Sequence, residues 1–181
     1  MSKTLIIYSS KYGFTKKYAY RLAEKLNADI IEDKDFKTIM IGEYLTLVFG
    51  GSLYAGRCSA AHLLAKHFEQ IEDKKIVLFT CGLLDVSKES NILEISKSIN
   101  KVIVPKVRDK IKIFHLRGGL DYNGLSFAHK MMVKMVHSLA LKKTEDKLTD
   151  MERDVIECFG RQTDFSDMKM LEPMIQYCLA Q

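Results

Sequence analysis

The stretch "TLIIYSSKYGFT", Thr4 to Thr15, decides how the rest of the chain is read. Its opening, "TLIIY", is a short run rich in branched side chains, as in a strand covered on both faces. From Thr15 onward Ala19, Leu22, Ala23 and Leu26 recur at intervals of three and four, which predicts a helix. Lys16, Lys17, Arg21, Glu24 and Lys25 fall on its wet side. A strand-to-helix connection needs at most one cap and one glycine. This one carries hydroxyls at Ser9, Ser10 and Thr15 around Lys11, Tyr12, Gly13 and Phe14. A helix N-terminus leaves about four backbone N–H groups without partners, and its dipole favours negative charge. The hydroxyls can add donors and Gly13 lets the backbone approach closely, so the loop has the makings of a phosphate cradle. It lacks the Gly-x-x-x-x-Gly-Lys-Ser/Thr of a triphosphate loop and the Gly-x-Gly-x-x-Gly of a dinucleotide site; a monophosphate fits best. The same residues also serve as an ordinary N-cap at Ser10 or Thr15 with Gly13 in a turn, and the loop alone does not separate the two.

Outward from it, "ADIIE" (Ala28 to Glu32), "LTLVFGG" (Leu45 to Gly51), "KIVLFTCG" (Lys75 to Gly82) and "KIKIFHL" (Lys110 to Leu116) read as further strands. Between them "SAAHLLAKHFEQI" reads as a helix with Ser59 as N-cap and Ala60, Leu64, Phe68 and Ile71 on one face. Ile92, Ile95, Ile99 and Val102 define another, broken by Pro105, and a last helix starts near Pro173. Strands alternating with helices imply an α/β chain with a parallel sheet between helical layers. With no repeat or linker, residues 1–181 read as a single domain, with an insertion over roughly 120–160. In such sheets ligands sit beyond the carboxyl ends of the strands. The segments there are "SSKYGFT", "GGSLYAG", "TCGLLD" and "RGGLDYNG", each with glycine. Glycine in all of them looks like one site more than independent turns.

Composition narrows the field. The chain has 47% hydrophobic and 28% charged residues, the balance of an ordinary globular protein. No apolar run approaches the roughly 20 residues of a membrane span, and "MSKTLIIY" turns polar too soon for a secretory signal. A cytoplasmic chain is expected. Cys58, Cys81, Cys158 and Cys178 form no Cys-x-x-Cys pair, and His62 and His67 share no helix face well, so no metal site is expected. The net charge of +5 suits an anionic ligand or surface without demanding nucleic acid. There is no Gly-x-Ser-x-Gly elbow and no His-Glu-x-x-His, so no catalytic acid, base or nucleophile is assigned. Cys81 reads as an inert buried thiol. Arg57 either meets a substrate carboxylate or is simply solvated.

In "FAHKMMVKMVHSLALKK" the residues Phe127, Ala128, Met131, Met132, Met135, Val136, Leu139 and Ala140 form one apolar stripe. His129, Lys130, Lys134, His137, Lys142 and Lys143 fall elsewhere, and the segment has no acid. A basic amphipathic helix of this kind, spanning residues 126–143, lies on an anionic membrane surface, docks a partner, or packs on its own domain.

Ser-x-x-x-Gly-x-Thr between a strand and a helix resembles the FMN phosphate loop of the flavodoxin superfamily. "GGSLYAGRCSAAHLLAKHF" and "RGGLDYNGLSFAHKMMVKMV" are similar to the branch that includes menaquinone-dependent protoporphyrinogen dehydrogenase. The resemblance implies a flavodoxin-like three-layer sandwich with a five-stranded parallel sheet, order 2-1-3-4-5, and a helical insertion after strand 5. It implies FMN as cofactor, held at its phosphate by Ser9, Ser10, Lys11, Tyr12, Gly13, Phe14 and Thr15. Ser52, Leu53, Tyr54, Ala55 and Gly56 would follow the ribityl chain and flavin ring, with Tyr54 as the one clear aromatic. Thr80, Cys81, Gly82 and Leu83 would line the ring's other edge, and Arg117, Gly118 and Gly119 would close the site. The function implied is an oxidoreductase taking electrons from a porphyrinogen of heme biosynthesis to a quinone, at the inner face of the cell membrane. A small flavodoxin-type electron carrier with a protein redox partner and a non-enzymatic FMN-binding module are the alternatives. Carriers of the family tend to be acidic, and the charge of +5 speaks against the first of these.

Overall fold

The computed structural model describes residues 3–54 and 56–180, apart from the side chain of Met40. The opening run forms β1 (Thr4–Ser9), in which Leu5, Ile6, Ile7 and Tyr8 are all buried. A strand buried on both faces must be covered from both sides. β1 lies between β2 (Asp29–Glu32) and β3 (Thr46–Tyr54), parallel to each. β3 pairs with β5 (Lys75–Gly82) and β5 with β6 (Ile111–Arg117), again in parallel. The sheet order β2-β1-β3-β5-β6 is the five-strand order expected. To this order is added β4 (Arg57–Cys58), two residues antiparallel to the end of β3.

Alternating residues of the strands feed two cores. On one side Leu5, Ile7, Leu47 and Phe49 pack against α2 (Ser59–Ile71), α3 (Glu89–Asn100) and the short α4 (Pro105–Arg108). On the other, Ile6, Tyr8, Val48 and Phe79 pack against α1 (Phe14–Leu26) and α7 (Glu172–Leu179). The result is a three-layer sandwich of the flavodoxin kind.

Three local expectations change. Ser59 is the first residue of α2 rather than its N-cap; Cys58 takes that place, and the Ser59 hydroxyl is buried without a partner. The helix after β5 stops at Asn100, short of Val102. Pro105 opens α4 instead of merely ending its predecessor, since a proline suits the first turn of a helix.

After β6 the chain runs out through β7 (Gly119–Asp121) and returns through β8 (Gln162–Asp164), which pair antiparallel. Between them lie α5 (Phe127–Ala140) and α6 (Asp150–Cys158), packed on each other. α6 starts with a reciprocal cap. Glu152 N–H donates to Thr149 Oγ1 at 3.2 Å, and Thr149 N–H donates to Glu152 Oε2 at 2.9 Å. Thr149→Ala removes the hydroxyl half of this pair and is expected to lower stability by about 1 kcal/mol. Thermal denaturation checks it. Among the described residues no helix is long and apolar enough to cross a membrane.

Candidate functional site

Beyond the carboxyl ends of β1, β3 and β5 the structure holds a cavity of about 350 Å³, within the range of small-molecule sites. Its floor comes from the glycine-bearing loops. Ser10, Lys11, Tyr12, Phe14 and Thr15 contribute from the first, and Ser52, Leu53, Tyr54 and Gly56 from the second. Cys81 and Gly82 end β5 and Leu83 follows it, and Gly118 and Gly119 follow β6. Ser9, Gly13, Thr80 and Arg117 adjoin this set without lining the cavity, and Ala55 lies outside the described residues.

One end of the cavity suits an anion. Neither Ser10 nor Thr15 caps α1. The N-cap is Gly13, at φ 91°, and no side-chain cap hydrogen bond is made there. A left-handed φ is available to glycine at no steric cost, which explains the residue there. The first turn carries no acid, and Lys16 and Lys17 stand in it. The Ser10 hydroxyl is buried with no partner. Open helix N–H groups beside an orphaned hydroxyl are donors waiting for an acceptor. That is the observation by which an anionic cofactor head fits.

Beside it stands an aromatic cluster that spacing did not reveal. The Tyr54 and His129 rings stack at 3.7 Å and 26°. The Tyr12 hydroxyl is hydrogen-bonded to His129 Nδ1, and Lys11 Nζ lies 3.4 Å from His129 Nε2. Burial, and then the charge of Lys11, hold the His129 imidazole below its usual range. Burial pushes the Tyr54 phenol up to about 12, and its hydroxyl has no partner. His129 belongs to α5, so the insertion closes directly onto the first two loops. No local pattern marks it, because the contacts join His129 to residues far away in the chain, Tyr12 and Lys11 among them more than a hundred positions off.

The roof is apolar. Leu125, Met132, Val133 and Val136 come from α5 and its approach, Met151 and Val155 from α6, and Leu84 and Ile95 from the opposite wall. The single stripe expected on α5 therefore divides: Met132 and Val136 face the cavity, while Phe127, Met131, Met135 and Leu139 are exposed.

Arg117 holds the walls together from behind. Its guanidinium donates to Asp154 Oδ1 of α6 at 2.9 Å and to the Leu83 carbonyl at 3.2 Å, and lies 3.6 Å from Asp85. It also covers the Phe165 ring at 3.9 Å. Leu83 and Val155, neighbours of these anchors, both line the cavity.

A model of the flavodoxin domain matches residues 5–147. The chain belongs to the flavodoxin-domain family. Solved structures similar to it include the two-electron reduced flavodoxin of Megasphaera elsdenii, 11% identical, covering 62% of this chain and 82% of its own, with a TM-score of 0.45. A flavoprotein in complex with FMN from Lactobacillus acidophilus is 15% identical over 65% of this chain and 93% of its own, TM-score 0.42. A flavodoxin of Streptococcus pneumoniae TIGR4 is 15% identical over 86% and 97%, TM-score 0.43. No curated protein matches.

Within this flavodoxin domain the remaining candidates settle into supporting places. Burial pushes the Cys81 thiol up to about 12, so it stays protonated and packs as an apolar group. Thr80 is buried and hydrogen-bonded at 2.8 Å to His115, whose pKa burial lowers to about 4. That pair ties β5 to β6. Arg57 is exposed on β4. Among the described residues no cluster of His, Cys, Asp and Glu could hold a metal ion.

Proposed function

We propose that this flavodoxin-domain chain binds FMN and acts as an oxidoreductase of the protoporphyrinogen dehydrogenase type, passing electrons from a porphyrinogen to a quinone. One observation carries the reading: the cavity runs from the donor-rich end at Ser10 and the start of α1 to an apolar chamber roofed by α5 and α6. A phosphate at one end and a broad flat ring at the other would use both halves.

When bound, FMN supplies the redox chemistry; the chain supplies binding, orientation and exclusion of water. The first-turn N–H groups of α1 and the Ser10 hydroxyl would hold the phosphate. Ser52, Leu53, Tyr54 and Gly56 would lie along the ribityl chain and ring, with Gly82 and Leu83 on its other edge. Met132, Val133 and Val136 keep water from the ring and give an apolar substrate a wall to lie against. An electron carrier needs its flavin edge open to a protein partner, and a roof of this kind works against that. The porphyrinogen rests on the resemblance of the second loop and the insertion.

Calorimetric titration with FMN is the first test, with saturable binding and a yellow protein expected. Colourless material that gives no heat with FMN refutes the reading. Ser10→Ala is expected to weaken FMN binding about tenfold, the worth of a hydrogen bond to a charged group. With FMN in place, turnover of a porphyrinogen with a menaquinone analogue supports the reaction. Firm FMN binding without turnover, but with fast exchange with a ferredoxin reductase, makes the chain a carrier.

A further inference from the structure

α5 has an apolar face more than a folded helix needs. Its inner residues Met132, Val133 and Val136 already line the cavity, and Ala140 is buried. Phe127, Met131, Met135 and Leu139 are nonetheless 81%, 50%, 57% and 51% exposed. Residues four apart share one side of a helix, so these make a continuous apolar line of roughly 18 Å. Lys130 and Lys134, each three residues beyond a member of the line, follow one edge, and Lys142 stands at its end. Between Asp121 and Glu145 there is no carboxylate. Lys143 pairs with Glu152, whereas Lys130, Lys134 and Lys142 form no ion pair among the described residues.

We propose that this outer face of α5 seats on an anionic bilayer surface, with the helix lying in the interfacial plane. The charge pattern selects this occupant. A second copy of the chain, meeting the face by two-fold symmetry, would set lysines against lysines with no acid to offset them. A bilayer with acidic headgroups offers hydrocarbon to the methionines and negative charge to the lysines at once. Because one helix carries both the docking face and the cavity wall, a molecule dissolved in the bilayer enters the cavity beside α5 without passing through bulk water. That last step rests on the function proposed above; the docking face does not.

Flotation of the full chain with vesicles tests it. Vesicles of phosphatidylcholine mixed with phosphatidylserine are expected to carry the protein upward in low salt, and phosphatidylcholine alone to carry little. Lys130→Gln with Lys134→Gln is expected to weaken partitioning about fivefold per lysine. Met131→Gln with Met135→Gln is expected to abolish it while leaving thermal stability and FMN uptake unchanged, since neither side chain lines the cavity. Protein that stays in solution with the acidic vesicles overturns the proposal, as does a methionine variant that floats like the parent. Equal partitioning into both vesicle types refutes the part assigned to the lysines. FMN titration without vesicles reads the redox proposal separately, so each failure is recognisable.

Discussion

Arg117→Met is expected to lower the stability of the chain by about 3 kcal/mol, the low end of what breaking a buried ion pair costs. In a domain of this size that is roughly 6–12 °C in Tm. The arginine is about one-fifth exposed at 19%, and Asp154 is more buried, at 12% of its side chain, which places the cost at the low end. Removing the guanidinium leaves Asp154 buried beside an oxygen, Oδ2, that already lacks a partner. It also frees the Leu83 carbonyl and Asp85, so the loop after β5 and α6 lose their common anchor. Because Leu83 and Val155 line the cavity, FMN affinity is expected to fall with stability.

The pH dependence separates this account from a simple packing defect. Burial raises the Asp154 pKa above the ordinary aspartate value, and Arg117 pulls it partly back. A carboxyl with a raised folded pKa holds its proton more tightly in the folded chain. Folding is therefore strongest with the group protonated and weakens as pH rises through the folded pKa. Without Arg117 the folded pKa climbs further and that window widens upward. The deficit of the variant should be greatest at neutral pH and should shrink as acid protonates Asp154. Melting curves of parent and variant from neutral to mildly acidic pH check this, and a deficit independent of pH counts against the ion pair. Arg117→Met combined with Asp154→Leu should recover most of the loss, because no charge is then left buried.

The two parts of the molecule differ in how far sequence alone reveals them. β1 and β5 are plain because a strand covered on both faces is a continuous apolar run, and Leu5–Tyr8 in β1 and Ile76–Phe79 in β5 are such runs. The cavity floor was legible for a related reason: in a parallel sheet the loops after the strands share one edge, so glycine after each strand marks one place. Strand order was not in the periodicity, and came from the resemblance. β7 and β8 are three residues each, and they pair across about forty intervening positions; no short window holds that signal. In the sequence His129 falls off the stripe, because only the docking of α5 brings it onto Tyr54. The stripe misled through its own breadth. Phe127, Met131, Met135 and Leu139 with Met132, Val136 and Ala140 cover more of the helix than one buried face uses. Two faces with separate tasks is the physical reason.

Gly119→Ala is expected to be the most damaging small change in the chain, costing at least about 3 kcal/mol. An added Cβ would lie 2.1 Å from the Thr163 carbonyl oxygen and 2.8 Å from the Phe14 ring. A side chain can turn aside, but this oxygen belongs to the β7–β8 ladder, where Gly119 pairs with Asp164 and Leu120 with Thr163. The neighbouring backbone is pinned as well: Gly118 N–H donates to the Gly82 carbonyl at 2.6 Å, and Phe165 N–H donates to the Gly118 carbonyl at 2.9 Å. Relief therefore requires opening the ribbon that roots α5 and α6. On the opposite side Phe14 opens α1 next to the candidate phosphate loop, so its displacement should weaken FMN binding too. Gly42→Ala is the matched control. An added Cβ there meets nothing within 4 Å, and a change within about 0.5 kcal/mol is expected. Thermal denaturation and FMN titration of the two variants side by side decide the matter: a Gly119→Ala protein that melts and binds FMN like its parent would show that β7 and β8 do not meet this tightly at the root of the insertion.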